Sequence, residues 1–95
     1  MPTGWVLINT EIGSETDVLK ELVKIEEVQE VHSTYGVYDI VARVTGDTME
    51  KLKEIVTNRV RRLNNVKSTL TMIAVEEADA TDKQPRTEMD SNSAR

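Results

Sequence analysis

The segment Tyr35–Asp39 carries the side chains and backbone best suited to hold a small charged molecule. Asp39 offers a carboxylate that can pair with an ammonium group. A turn that contains Gly36 exposes backbone N–H groups, which bind carboxylates. The same residues also have a structural interpretation, in which Gly36 permits a positive φ and Asp39 caps the turn. The residue types alone leave both interpretations open.

The rest of the sequence offers little for catalysis or for metal binding. It contains no cysteine, and therefore no thiol nucleophile, disulfide or cysteine-based metal site. His32 is the only histidine, and it has neither partners at metal-ligand spacing nor a nucleophile that the sequence shows to be its neighbour. The acidic residues Glu26, Glu27 and Glu30 indicate a solvated surface. We therefore expect no enzymatic activity, no bound metal and no cofactor.

The elements that must position the Tyr35–Asp39 segment follow from hydrophobic periodicity. Short β-branched runs predict four strands: Trp5–Asn9, Val28–Thr34, Tyr38–Thr45 and Val66–Val75. Two helices are predicted, with Ser14 and Asp47 as their N-caps and an apolar stripe along each. The order β-α-β-β-α-β predicts a ferredoxin-like α+β fold, an antiparallel sheet with two helices on one face. Tyr35–Val37 is then the tight connection between two adjacent strands.

Both faces of the predicted sheet carry apolar side chains. The first strand places Val6 and Ile8 on one face but Trp5 and Leu7 on the other, and the last strand repeats the pattern. Two helices on one side of a sheet can cover only one face. We therefore expect the sheet of a second copy to cover the other face, which makes the protein at least a dimer.

Length and charge restrict the class of protein further. The 95 residues suffice for one domain, which we place at residues 1–77, and the polar residues 78–95 are expected to be a flexible tail. The net charge of −5 disfavours nucleic-acid binding. Cations near the end of the second helix are interpreted as complementing its dipole: Arg59, Arg61, Arg62 and Lys67. No signal-peptide pattern or membrane-spanning run is visible, so we expect a cytoplasmic protein without a membrane partner.

The element order, the Tyr35–Val44 segment and the closing strand Val66–Thr71 resemble the effector-binding domain of the Lrp/AsnC family of transcriptional regulators. The resemblance covers about Trp5 to Glu76. It implies dimers paired through their sheets, octameric or decameric rings of dimers, and free amino acids bound between dimers. It also implies a ligand site built from the turn and the last strand: Tyr35, Gly36, Tyr38, Asp39, Ser68, Thr69 and Thr71.

Full-length members of that family carry an N-terminal helix-turn-helix, whereas this chain starts at its first predicted strand. The resemblance therefore predicts a stand-alone module that modulates transcription or metabolism through a partner, such as a full-length regulator of the same family. Direct DNA binding is not expected. Two alternatives remain: a small monooxygenase of the dimeric α+β-barrel type, and a purely structural oligomer. The pocket of such an enzyme would be lined by aromatic side chains and a His or Asn, and this sequence has only three aromatic residues and one histidine.

Overall fold

The computed structural model describes residues 1–75, so the predicted tail at residues 78–95 lies outside the described part. The elements follow in the order β1 (Thr3–Thr10), α1 (Glu15–Leu22), β2 (Val28–Ser33), β3 (Ile40–Thr45), α2 (Met49–Ile55) and β4 (Val66–Ile73). A π-helical segment, Val56–Val60, continues α2. The predicted β-α-β-β-α-β order is confirmed.

The strands described form one antiparallel sheet in the order β2-β3-β1-β4. β1 lies in the interior and pairs with β3 on one side and β4 on the other. β2 and β4 are the two edges. The observed sheet is therefore the ferredoxin-like arrangement that the element order predicted.

One face of the sheet packs against both helices and forms the hydrophobic core. The fully buried apolar side chains come from β1, β3, α1, α2 and the π-helical segment: Val6, Ile8, Ile40, Ala42, Val44, Val18, Leu22, Leu52 and Val60. Successive strand residues point to opposite faces, so Trp5 and Leu7 face away from the helices. Both are only partly buried, as the sequence pattern predicted.

The N-caps differ from the sequence predictions. Asp47 was predicted to cap the second helix, but Thr48 does so, and its Oγ1 accepts a hydrogen bond from the Lys51 N–H at 3.0 Å. Thr48 has the extended backbone (φ −132°, ψ 167°) that aims a capping side chain at the helix. Ser14 occupies the N-cap position of α1, but its ψ is 5° and its side chain caps no N–H group within residues 1–75.

The start of α2 depends on close packing at Gly46, which is buried. A Cβ at this position would lie 2.7 Å from the Leu52 backbone nitrogen and 2.9 Å from its Cα. We expect Gly46→Ala to displace the first turn of α2 and to lower the free energy of unfolding by about 1–3 kcal/mol. Thermal unfolding followed by circular dichroism should show a melting temperature lower by roughly 4 °C or more.

Gly4→Ala is the matched control for Gly46→Ala. A Cβ on Gly4 would meet the Leu52 side chain at 3.5 Å, which is an ordinary contact. Its melting temperature should therefore change much less. Restricting the unfolded chain by a Gly→Ala change raises stability by itself, so an equal fall in both variants would contradict a steric clash specific to Gly46.

Candidate functional site

The turn between β2 and β3 is closed at its base and open at its tip. The Thr34 N–H donates to the Asp39 carbonyl at 2.9 Å, and Thr34 Oγ1 donates to the Tyr38 carbonyl at 2.6 Å. Gly36 has a φ of 151°, a backbone conformation that favours glycine. The side chains of Tyr35 and Val37 are almost entirely exposed. The turn thus presents its backbone and two apolar side chains at one end of the sheet.

The turn also leaves backbone donors available. Within residues 1–75, the N–H groups of Tyr35–Tyr38 donate no hydrogen bond, whereas that of Asp39 donates to the Ile8 carbonyl at 2.9 Å. Consecutive free N–H groups in a turn can bind an anion such as a carboxylate.

Asp39 connects the turn to the end of β1. Its Oδ2 accepts a hydrogen bond from the Thr10 N–H at 2.9 Å and lies 3.4 Å from Thr10 Oγ1. Its Oδ1 has no hydrogen-bond partner in the described part of the chain and is not among the buried unpaired atoms there, so it is open to solvent. One carboxylate oxygen therefore has a structural role, while the other can accept a hydrogen bond from a ligand.

The residues of β4 fall into two groups. Ser68 pairs with Asn9, so it lies at the same end of the sheet as Asp39, with β1 between them. Thr69 and Thr71 alternate with Ser68 and Leu70 and point toward the helix side. The structure thus brings Ser68 and the turn to one end of the sheet, and places the Thr69 and Thr71 side chains on the other face.

His32 was predicted to have no special role, but in the structure it belongs to a hydrogen-bonded trio with Glu30 and Arg43 on the sheet face opposite the helices. Glu30 Oε1 lies 3.1 Å from His32 Nε2, and Glu30 Oε2 accepts from Arg43 Nε at 2.7 Å. The hydrogen bonds from His32 and then Arg43 lower the pKa of Glu30 below its ordinary value of 4.5. The ionised Glu30 therefore stabilises the fold above pH 4.5, and this contribution is lost as the pH falls through the lower folded-state pKa.

Beside this trio lies a surface that we call the outer apolar patch: Trp5, Leu7, Val41, Leu70 and Met72. Leu7 lies between Val41 on β3 and Leu70 on β4. Leu70 and Met72 are 48% and 51% exposed, respectively. A contiguous apolar surface of this kind usually marks an interaction site.

The family model of the Lrp/AsnC ligand-binding domain matches residues 3–83, which is most of the chain. This protein belongs to the Lrp/AsnC ligand-binding domain family. The resemblance inferred from the turn, the closing strand and the element order is confirmed.

Relatives of this Lrp/AsnC domain agree with that assignment. The HTH-type transcriptional regulator FL11 of Pyrococcus abyssi is 31% identical over 82 residues, which are 86% of this chain and 54% of the regulator. TTHA0845 from Thermus thermophilus is 30% identical with a TM-score of 0.79, covering 83% of this chain and 99% of that protein. The L-Met complex of transcriptional regulator NMB0573 from Neisseria meningitidis shares the fold at 14% identity, with a TM-score of 0.75, covering 88% and 56%.

Metal sites and membrane spans are both missing from the described part of the Lrp/AsnC domain. Residues 1–75 contain no group of three or more His, Asp or Glu side chains that could hold a metal ion. None of the helices in this range is long and apolar enough to span a membrane.

Proposed function

We propose that this Lrp/AsnC domain is a regulatory module that binds a free amino acid at the turn between β2 and β3. Two features of one turn carry this proposal: the unpaired Oδ1 of Asp39 and the free N–H groups of Tyr35–Tyr38. The carboxylate pairs with the α-ammonium group, and the N–H groups bind the α-carboxylate. A zwitterionic amino acid therefore carries a partner for the Asp39 carboxylate and a partner for the backbone N–H groups.

The amino acid lies between copies of the chain in this proposal. The tip of the turn exposes Tyr35 and Val37, and Ile12 in the loop after β1 is 99% exposed. Thr10, two residues before Ile12, contacts Asp39, so the three apolar side chains belong to the same end of the sheet. A neighbouring dimer that covers this end would exclude water from the ligand, which strengthens its charged hydrogen bonds. Contacts of this kind assemble dimers into rings.

The dimer itself forms through the outer apolar patch. Two sheets that pack face to face lie about 10 Å apart and interdigitate their side chains. Trp5, Leu7, Leu70 and Met72 supply the large side chains for this contact. The helices cover the other face, so a second copy is the simplest cover for this one.

Relatives support a role in regulation. FL11 is named an HTH-type transcriptional regulator, and the present chain spans about half of its length. The L-Met complex of NMB0573 is an amino-acid complex of a protein with this fold. We propose that the module acts on transcription through a partner, such as a full-length regulator of the family, and not by binding DNA itself, given its net charge of −5.

A thermal-shift screen with the twenty amino acids tests the proposal. At a ligand concentration 100 times Kd, binding stabilises the folded state by about 2.7 kcal/mol, so the melting temperature should rise by roughly 10 °C or more. One amino acid, or a few of related side chain, should give this shift. A purely structural oligomer would keep its size in light scattering and show no shift with any of the twenty.

A further inference from the structure

A groove of about 330 Å³ runs between the α2 side of the molecule and β4. We call it the basic groove, and it is lined by Lys53, Thr57, Arg61, Thr69, Thr71 and Ile73, with Val56 and Leu70 beside them. Lys53, Thr57 and Arg61 are spaced four residues apart: Lys53 lies in α2, Thr57 in the π-helical segment, and Arg61 directly after that segment. β4 is the sheet edge opposite β2, and the groove lining contains no residue of the turn between β2 and β3.

The charged side chains that line the basic groove are all positive. Its lining contains two cations and three hydroxyl groups but no carboxylate. Neither Lys53 nor Arg61 forms an ion pair with any residue in the range 1–75, whereas Lys51, on the same helix, pairs with Glu54 at 3.4 Å. Among the described residues, the groove therefore presents positive charge that no carboxylate compensates, which suits an anionic ligand.

The groove also includes a free sheet edge. Of the strands described, β4 pairs with β1 alone, so its other edge carries unpaired backbone groups. The lining includes the consecutive residues Thr69, Leu70 and Thr71, so the groove runs along this edge strand. Free edges of this kind add extended peptides as an extra strand.

We propose that the basic groove binds an extended acidic peptide of a partner protein, which adds to β4 as a further strand. Lys53 and Arg61 are eight residues apart, a distance of about 12 Å along a helix. Strand residues four apart are separated by about 13 Å, so carboxylates at such positions meet both cations. The threonine hydroxyls donate further hydrogen bonds to the peptide.

The probe is a fluorescein-labelled nonapeptide of serine and threonine with glutamate at its third and seventh positions. It is titrated with the full chain at ~0.15 M salt and followed by anisotropy. The double variant Lys53→Gln/Arg61→Gln should weaken binding about tenfold or more, because two charge-assisted contacts are lost.

The matched control is Lys51→Gln/Arg59→Gln, which removes the same charge at the same spacing from residues outside the groove. Its affinity should change less than about twofold.

Several results would overturn the proposal. Equal losses in both double variants would mean nonspecific attraction, and displacement of the probe by inorganic phosphate at millimolar concentration would mean a small-anion site. Probe binding seen only after Glu76→Gln, Glu77→Gln, Asp79→Asn and Asp82→Asn are combined would assign the groove to the chain's own acidic segment. The same nonapeptide with glutamines at both positions should bind about tenfold more weakly, and equal binding would exclude the charge pairing.

Discussion

Leu7→Glu is expected to convert the proposed dimer into a folded monomer. Leu7 lies at the centre of the outer apolar patch, between Val41 and Leu70, and its side chain points away from the helix-side core. In a dimer paired through this face, each copy would bury an unpaired carboxylate, which costs at least about 3 kcal/mol in total. The dissociation constant should therefore rise more than about 100-fold. Light scattering coupled to size exclusion measures the mass directly.

Val23→Glu is the control for Leu7→Glu. Val23 is 66% exposed at the end of α1, on the helix side of the molecule, and it lies outside the outer apolar patch. The same new charge at this position should leave the mass unchanged, and circular dichroism should show both variants folded. A dimeric Leu7→Glu variant, or a monomeric parent protein at micromolar concentration, would contradict pairing through the outer apolar patch.

The features that were predicted correctly depend on local periodicity. Val6 and Ile8 alternate with Trp5 and Leu7, and this alternation is enough to assign the two faces of β1. Helical spacing likewise identified Leu22 and Leu52 as core residues. The turn at Tyr35–Val37 was predicted because Gly36 interrupts two β-branched runs.

The features that were missed depend on contacts between distant residues. The trio of Glu30, His32 and Arg43 requires the β2–β3 register, in which an irregularity between Val28 and Glu30 shifts the pairing. No local pattern reports that register. The same limit applies to Arg61, which was interpreted as a cation at a helix end, since its place beside β4 is set by tertiary packing.

The choice between adjacent capping residues shows a finer limit. Asp47 and Thr48 are both suitable N-cap types, so their sequence gives little reason to prefer either. Gly46, just before both residues, lies close to the Leu52 backbone. In the folded chain Thr48 has the extended backbone and accepts the Lys51 N–H, and residue type alone does not encode that geometry.

Asp39→Asn is expected to weaken binding of the effector amino acid by about ten- to a hundredfold, because a charge-assisted hydrogen bond contributes roughly 1.5–3 kcal/mol. The melting temperature of the ligand-free protein should hardly change, since an amide oxygen can still accept the bond from the Thr10 N–H. Calorimetric titration with the best amino acid from the thermal-shift screen gives the affinity. Asp47→Asn removes the same charge from an exposed position before α2, and its affinity should equal that of the parent protein.

Asp39→Ala separates the two roles of this carboxylate. It removes the acceptor as well as the charge, so the Thr10 N–H loses its partner and the free energy of unfolding should fall by about 1–3 kcal/mol. A purely structural Asp39 would give the same stability loss in Asp39→Ala with unchanged affinity in Asp39→Asn. If Asp39 binds the ligand, Asp39→Asn should instead lose affinity for the amino acid while its stability stays constant. Oδ2 holds the end of β1, so only Oδ1 is open to the ligand.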